Sequence, residues 1–305
     1  MRDFGGPLEK YPAMNLSVDL SHTALVFPGQ GSQRAEMREL VASHCPELIP
    51  LATSEVGSDP FERVADGTSF QQPALYCAAI AGWKAAGAPH AAWFVGHSLG
   101  EVAAAAASGA ISITDGLRLA VVRGQVMQQA AEASPGGMLA VLGETRGAPA
   151  LANSLGLTVA NDNAPGQIVL SGPTEEISEA RRRFREAGIR TVRLPVAGAF
   201  HSPAMTSALP EFRAALDGVE VGTPDNLFSS ITASPVEDLR ETLLSALIRP
   251  VRWRESVLRL CEVGARRFLE SGPGEVLTGL IRRTTDEAEA LPIIDFTANR
   301  ELADA

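Results

Sequence analysis

The chain has 305 residues, 45% hydrophobic and 20% charged, with 26 Lys and Arg against 36 Asp and Glu for a formal charge of -10. This is a globular composition, long enough for one large or two unequal cores, and it excludes collagen-like and disordered classes. The acidic balance argues against a nucleic-acid partner, no run of about 18 apolar residues could span a membrane, and residues 1–22 lack the pattern of a signal peptide.

In chain order, residues 1–22 read as a loose leader, with Gly5, Gly6, Pro7 and Pro12. The first strand signal is Thr23-Ala24-Leu25-Val26-Phe27, stopped by the turn Pro28-Gly29-Gln30-Gly31. Helices are predicted over residues 34–44 and 72–86, the second with Pro73 in its first turn, where a missing N–H costs nothing. Residues 91–95 form an apolar run without alternation, which suits a strand buried on both faces of a parallel sheet. An alanine-rich helix follows Ser98, and another covers residues 113–133.

The pattern changes at Pro135-Gly136-Gly137. Strand 138–142, helix 148–155, strands 158–160 and 167–171, helix 174–187 and strand 191–195 follow, the order of a split βαβ, ferredoxin-like unit of roughly 60 residues. Long helices are expected to resume after Met205, and Arg267-Phe268-Leu269-Glu270 before Ser271-Gly272-Pro273-Gly274 repeats the strand-then-turn pattern. The expected organisation is a leader at 1–22, a large α/β domain over 23–135 and 199–305, and a small domain at 136–198. Three separated cysteines, Cys45, Cys77 and Cys261, fit no metal-ligand spacing and read as buried thiols of a reducing cytoplasm.

Gly96-His97-Ser98-Leu99-Gly100 has the G-x-S-x-G form of a nucleophile elbow and lies between a strand signal and a helix. A serine nucleophile needs a base, and the chain has five histidines. His22, His44 and His90 lie at a leader boundary, a helix end and a strand start, and His97 adjoins the serine on too tight a turn to face it. That leaves His201 in Gly198-Ala199-Phe200-His201-Ser202-Pro203, as a base or as a core histidine. Glu101 reads as a first-turn helix residue favoured by the dipole rather than as a third catalytic member. Trp253 and Phe268 read as core, and there is no phosphate-binding glycine loop or metal motif.

Eight motifs in unbroken order over residues 23–298 carry a resemblance. They are Phe27 to Gln33 (FPGQGSQ), Gln72 to Leu75 (QPAL), Gly96 to Glu101 (GHSLGE), Arg123-Gly124 with Met127-Gln128, Asn161 to Gln167 (NDNAPGQ), Ala199 to Ser202 (AFHS), Pro250 to Trp253 (PVRW) and Gly272-Pro273-Gly274. Together they resemble the malonyl-CoA:acyl-carrier-protein transacylases, including polyketide synthase acyltransferases. The resemblance implies an α/β-hydrolase-like large domain with an inserted ferredoxin-like small domain. It implies Ser98 as nucleophile, His201 as base, the backbone N–H groups of Gln30 and Leu99 as oxyanion hole, and Arg123, Met127, Asn163 and Phe200 as substrate-binding residues. Arg123 would fork onto the free carboxylate of a malonyl group. In such enzymes a main-chain carbonyl orients the histidine; the matching position here is Ala246, and Arg249-Pro250 stands in place of Asn-Pro.

The implied reaction moves a malonyl or related carboxylated acyl group from a CoA thioester to the phosphopantetheine thiol of an acyl carrier protein, by a cytoplasmic monomer without bound cofactor or metal. Carrier proteins are commonly acidic, so docking is expected at arginine groups, residues 181–183 or Arg249, Arg252 and Arg254. Alternatives on this scaffold are an acyl hydrolase that clears carrier proteins, a transferase of an unusual carrier-bound acyl group in polyketide biosynthesis, the transferase part of a malonate decarboxylase, and a non-catalytic docking protein.

Overall fold

A computed structural model describes residues 20–222 and 226–296. Residues 1–19 of the expected leader lie outside the described residues. The chain runs β1 (Thr23–Phe27), α1 (Met37–His44), α2 (Leu48–Val56), α3 (Thr68–Ala85), β2 (Trp93–Gly96), α4 (Gly100–Ala107) and α5 (Ile113–Ala133). It continues as β3 (Gly136–Leu142), α6 (Ala148–Ser154), β4 (Thr158–Ala164), β5 (Gln167–Pro173), α7 (Thr174–Glu186) and β6 (Arg190–Arg193). It ends with α8 (Leu209–Asp217), β7 (Leu227–Ser229), β8 (Ser234–Pro235), α9 (Leu239–Ser245), α10 (Trp253–Glu262), β9 (Arg267–Glu270), α11 (Val276–Thr284) and β10 (Glu289–Pro292).

Six strands form one sheet in the order β10-β9-β1-β2-β7-β8, parallel except for β8. Parallel neighbours need crossover connections, and the helices that provide them cover both faces, so the central strands are apolar on both sides. In β1, Leu25 and Phe27 pack into one core while Ala24 and Val26 pack into the other. The strand ends at Phe27, Gly96, Ser229 and Glu270 all point to one edge, where open α/β sheets gather their chemistry.

The second sheet is antiparallel in the order β4-β5-β3-β6, the ferredoxin-like arrangement. One face packs Leu139, Val141 and Leu170 against α6 and α7 through Ala148, Ile177 and Phe184. The other face turns Met138, Ala140 and Val169 toward the first sheet. The sheets are pinned where the Val251 N–H donates to the Ala160 carbonyl and the Asp162 N–H donates to the Val251 carbonyl, both at 2.9 Å. An Asp162–Arg254 ion pair at 2.6 Å lies beside them.

Three expectations change. Helix α3 starts at Thr68, one turn before Gln72, so Pro73 is inside the helix and the Ser69 carbonyl finds no N–H at position 73. That extra turn, Thr68-Ser69-Phe70-Gln71, has a single apolar residue and shows no apolar period. After Met205 the helices are short, nine, seven and ten residues in α8, α9 and α10. Strands β7 and β8, of three and two residues, interrupt this stretch and are too short for a periodic signal. Finally, β4 runs to Ala164, four residues beyond the expected strand 158–160, and so carries Asn161 and Asn163.

Candidate active site

Ser98 sits in the turn between β2 and α4 with φ +56, a left-handed conformation that a non-glycine residue adopts only when its surroundings compel it. The flanking glycines show what compels it. A Cβ on Gly96 would collide with the Gly100 main chain, and one on Gly100 with the Phe27 carbonyl at the end of β1. His201 also has a left-handed backbone, φ +57. Two constrained turns therefore present the two side chains to each other.

Ser98 Oγ lies 2.8 Å from His201 Nε2, and both residues are buried, 9% and 4% exposed. His201 Nδ1 is 2.8 Å from the Ala246 carbonyl. A carbonyl only accepts, so Nδ1 carries the hydrogen; in the neutral ring Nε2 is then a free acceptor to which the Ser98 hydroxyl donates. Burial, with the Arg123 cation next, pushes the imidazole down to about 3, which keeps it neutral. The Ala246 carbonyl thus fixes the tautomer and the orientation of the ring.

Arg123 is on α5, 1% exposed, with Nη1 donating to Gln72 Oε1 at 2.7 Å and Nη2 to Ser98 Oγ at 3.3 Å. It enters no ion pair among the described residues. Burial lowers its pKa to about 10 against the opposing charge of Glu101. Gln72 is fully buried and itself donates to Thr68 Oγ1 at 2.8 Å, so its carbonyl is aimed at the guanidinium. Gln72 belongs to the Gln72 to Leu75 motif of the sequence, but nothing local marks it as the holder of Arg123.

Glu101 lies in the first turn of α4, as expected, but is 4% exposed. Oε1 accepts from Ser229 Oγ at 2.9 Å, the Ser230 N–H at 2.7 Å and Ser230 Oγ at 3.1 Å, while Oε2 has no partner among the described residues. Burial raises its pKa from 4.5 to about 7. An unfolded glutamate ionises near 4.5, so the stability that this proton retention contributes is complete below that pH and is lost as pH rises to about 7. Glu101→Gln removes the titration. Its stability relative to the parent should therefore rise by about 1–3 kcal/mol between pH 4.5 and pH 8 in urea unfolding. An equal difference at both pH values would mean that the carboxyl is not held neutral.

A cavity of about 280 Å³ opens from Ser98 and His201 between the two sheets. Gln30, His97, Asn163 and Phe200 line it, with Met138, Ala140 and Val169 as its small-sheet wall. The Gln30 and Leu99 N–H groups donate to no described residue. His97 turns from Ser98 to place Nε2 2.9 Å from Asn163 Oδ1, with its ring edge-on to Trp253. Met127 is outside the lining; it is buried, and its sulfur lies 3.4 Å from Gln72 Nε2.

Of the expected docking arginines, Arg182 and Arg183 are held by Glu179, Arg252 by Glu255 and Arg254 by Asp162. Arg181 and Arg249 form no ion pair among the described residues. Trp253, Phe268 and all three cysteines are buried, and burial raises the thiols, Cys45 to about 11. Among the described residues, no cluster of three His, Cys, Asp or Glu side chains could hold a metal, and no helix is long and apolar enough to cross a membrane.

Fold and site together define an α/β protein in which a buried serine–histidine pair lines a cleft between a parallel and a ferredoxin-like sheet, and a buried arginine outside that lining, without an ion pair among the described residues, donates to the serine. The family described as acyl transferase domain matches residues 53–298, and the chain belongs to that family. It is 40% identical over 293 residues to the polyketide biosynthesis protein ThaF of Burkholderia thailandensis, covering 89% of this chain but 25% of that protein. The chain thus spans a quarter of ThaF. It is 37% identical over 287 residues to the polyketide biosynthesis malonyl CoA-acyl carrier protein transacylase PksC of Bacillus subtilis, covering 88% of this chain and 98% of PksC. Among solved structures, the malonyl-CoA:acyl carrier protein transacylase FabD of Xanthomonas oryzae superposes with a TM-score of 0.85 at 33% identity, covering 92% of this chain and 98% of that one.

Proposed function

We propose that the chain is a malonyl-CoA:acyl-carrier-protein S-acyltransferase whose large domain, residues 23–135 and 199–305, carries the nucleophile and whose small domain, residues 136–198, closes the substrate cleft. The observation that carries this reading is the buried Arg123 guanidinium, without a carboxylate partner among the described residues, 3.3 Å from the Ser98 hydroxyl. A buried unpaired cation is costly, and a substrate carboxylate is the group that relieves that cost.

In the first half-reaction Ser98 Oγ attacks the thioester carbonyl carbon while its proton passes to His201 Nε2. The negative oxygen that develops is stabilised by the free N–H groups of Gln30 and Leu99. The carbon–sulfur bond breaks, and the departing sulfur takes the proton from His201, leaving a malonyl-serine ester. The carrier's phosphopantetheine thiol then gives its proton to His201 and attacks the ester. The carbon–oxygen bond breaks, and Ser98 recovers its proton. Asn163 and Phe200 flank the acyl group, and Met127 acts from behind by packing on Gln72.

Intact-mass spectrometry after brief incubation with malonyl-CoA should show one malonyl adduct on the Ser98 peptide, discharged to a holo-carrier thiol when the carrier is added. Free malonate accumulating without carrier acylation would identify a hydrolase. No adduct from any CoA donor would point to a carrier-bound acyl donor.

A further inference from the structure

Gly31, Pro195 and Val276 are the exposed residues of the lining, and Gly31 and Val276 mark the side of the mouth next to the last helix. Helix α11 runs along this mouth with Leu277 and Leu280 turned inward. Its start is fixed by the buried Glu270 carboxylate, which accepts the Leu277 and Thr278 N–H groups at 3.0 and 2.7 Å. Two exposed arginines stand at either end of this helix. Arg34 lies against Gly274, just before α11, and its Nη1 donates to the carbonyl of the lining residue Gln33 at 2.9 Å. Arg283, in the last turn, reaches across to the small sheet, where Nη2 donates to Oε1 of the lining residue Gln167 at 2.7 Å.

Neither arginine enters an ion pair among the described residues. The acids nearest in the chain, Glu36, Glu275, Asp286 and Glu287, pair with neither. The mouth of a cavity in an acidic protein therefore holds two permanent cations with donors to spare. The lining combines the amides of Gln71, Asn161 and Asn163 with apolar Leu194 and Val196, and it includes Ser98. Amides and apolar side chains with cations at the rim suit a flexible amide-containing arm with a thioester at one end and an anion at the other.

We propose that Arg34 and Arg283 form a phosphate clamp that holds the phosphate-ester end of the pantetheine arm while its thioester reaches Ser98. The proposal rests on the acyl-transfer reading above. CoA and the carrier's prosthetic group share this phosphate ester, so the clamp serves both half-reactions.

The test compares malonyl-CoA with malonyl-pantetheine, which has the same arm and no phosphate, on the parent, Arg34→Ala, Arg283→Ala and the double variant. Each single change should raise KM for malonyl-CoA about tenfold, the usual worth of one hydrogen bond to a charged group, and leave KM for malonyl-pantetheine within about twofold. KM for holo-carrier should rise in parallel; a rise for malonyl-CoA alone would overturn the clamp's role toward the carrier. Equal losses with the phosphate-free donor, or no loss with malonyl-CoA, would overturn the clamp itself. Calorimetric binding of CoA against pantetheine reads the same contrast without turnover, so failure of the clamp is distinguishable from failure of the transferase reading.

Discussion

His201→Ala is expected to slow acylation of Ser98 by malonyl-CoA about 10⁴–10⁶-fold, the loss typical when a base acting as a unit with its nucleophile is removed. Stopped acyl-enzyme assays by mass spectrometry read this directly, and a loss under tenfold would remove His201 from the reaction. Because the orienting group is the Ala246 carbonyl at 2.8 Å, replacing the Ala246 side chain leaves the bond available. The pH profile should also be distinctive. An ordinary histidine loses base activity below 6.5, whereas this one is held neutral down to about 3. For the free enzyme, kcat/KM should then show no imidazole limb between about pH 8 and pH 5. A limb near 7 belongs to Glu101 and should vanish in Glu101→Gln.

Arg123→Ala should collapse the preference for malonyl over acetyl groups. The lost contact is a buried charge pair, worth roughly 2–5 kcal/mol, so kcat/KM for malonyl-CoA should fall about 10²–10³-fold. Acetyl-CoA should be used no worse, and faster if the chemical step limits. In the parent the guanidinium donates to Ser98 Oγ at 3.3 Å, occupying a lone pair of the attacking oxygen, and its charge lowers the basicity of His201. A malonyl carboxylate draws those donors and that charge away; an acetyl group leaves both in place. Discrimination is thus expected in kcat as well as in KM. The ratio of the two donors' kcat/KM values, compared between Arg123→Ala and the parent, is the measurement. An unchanged ratio would assign carboxylate recognition to another residue.

Local signals in the sequence determined the elbow, the fold class and most of the small sheet. Gly96-His97-Ser98-Leu99-Gly100 is legible because a strand, a forced turn and a helix follow one another within a few residues, and the βαββαβ order is legible because short apolar runs and two helical stretches follow one another after Pro135-Gly136-Gly137. His201 could be reached only by elimination and by resemblance, since 103 residues separate it from Ser98 and nothing local links them. Tertiary structure alone decided the rest. The Ala246 carbonyl has no side-chain signature. The burial of Glu101 depends on Ser229 and Ser230, which stand at the end of a three-residue strand too short to announce itself. Gln72 and Arg123 meet only because α3 packs on α5, and Arg34 and Arg283 come to one cavity mouth because α11 bridges two distant segments of chain. Sequence periodicity records which face of an element is apolar; which polar atoms then share the buried space is set by how the elements pack.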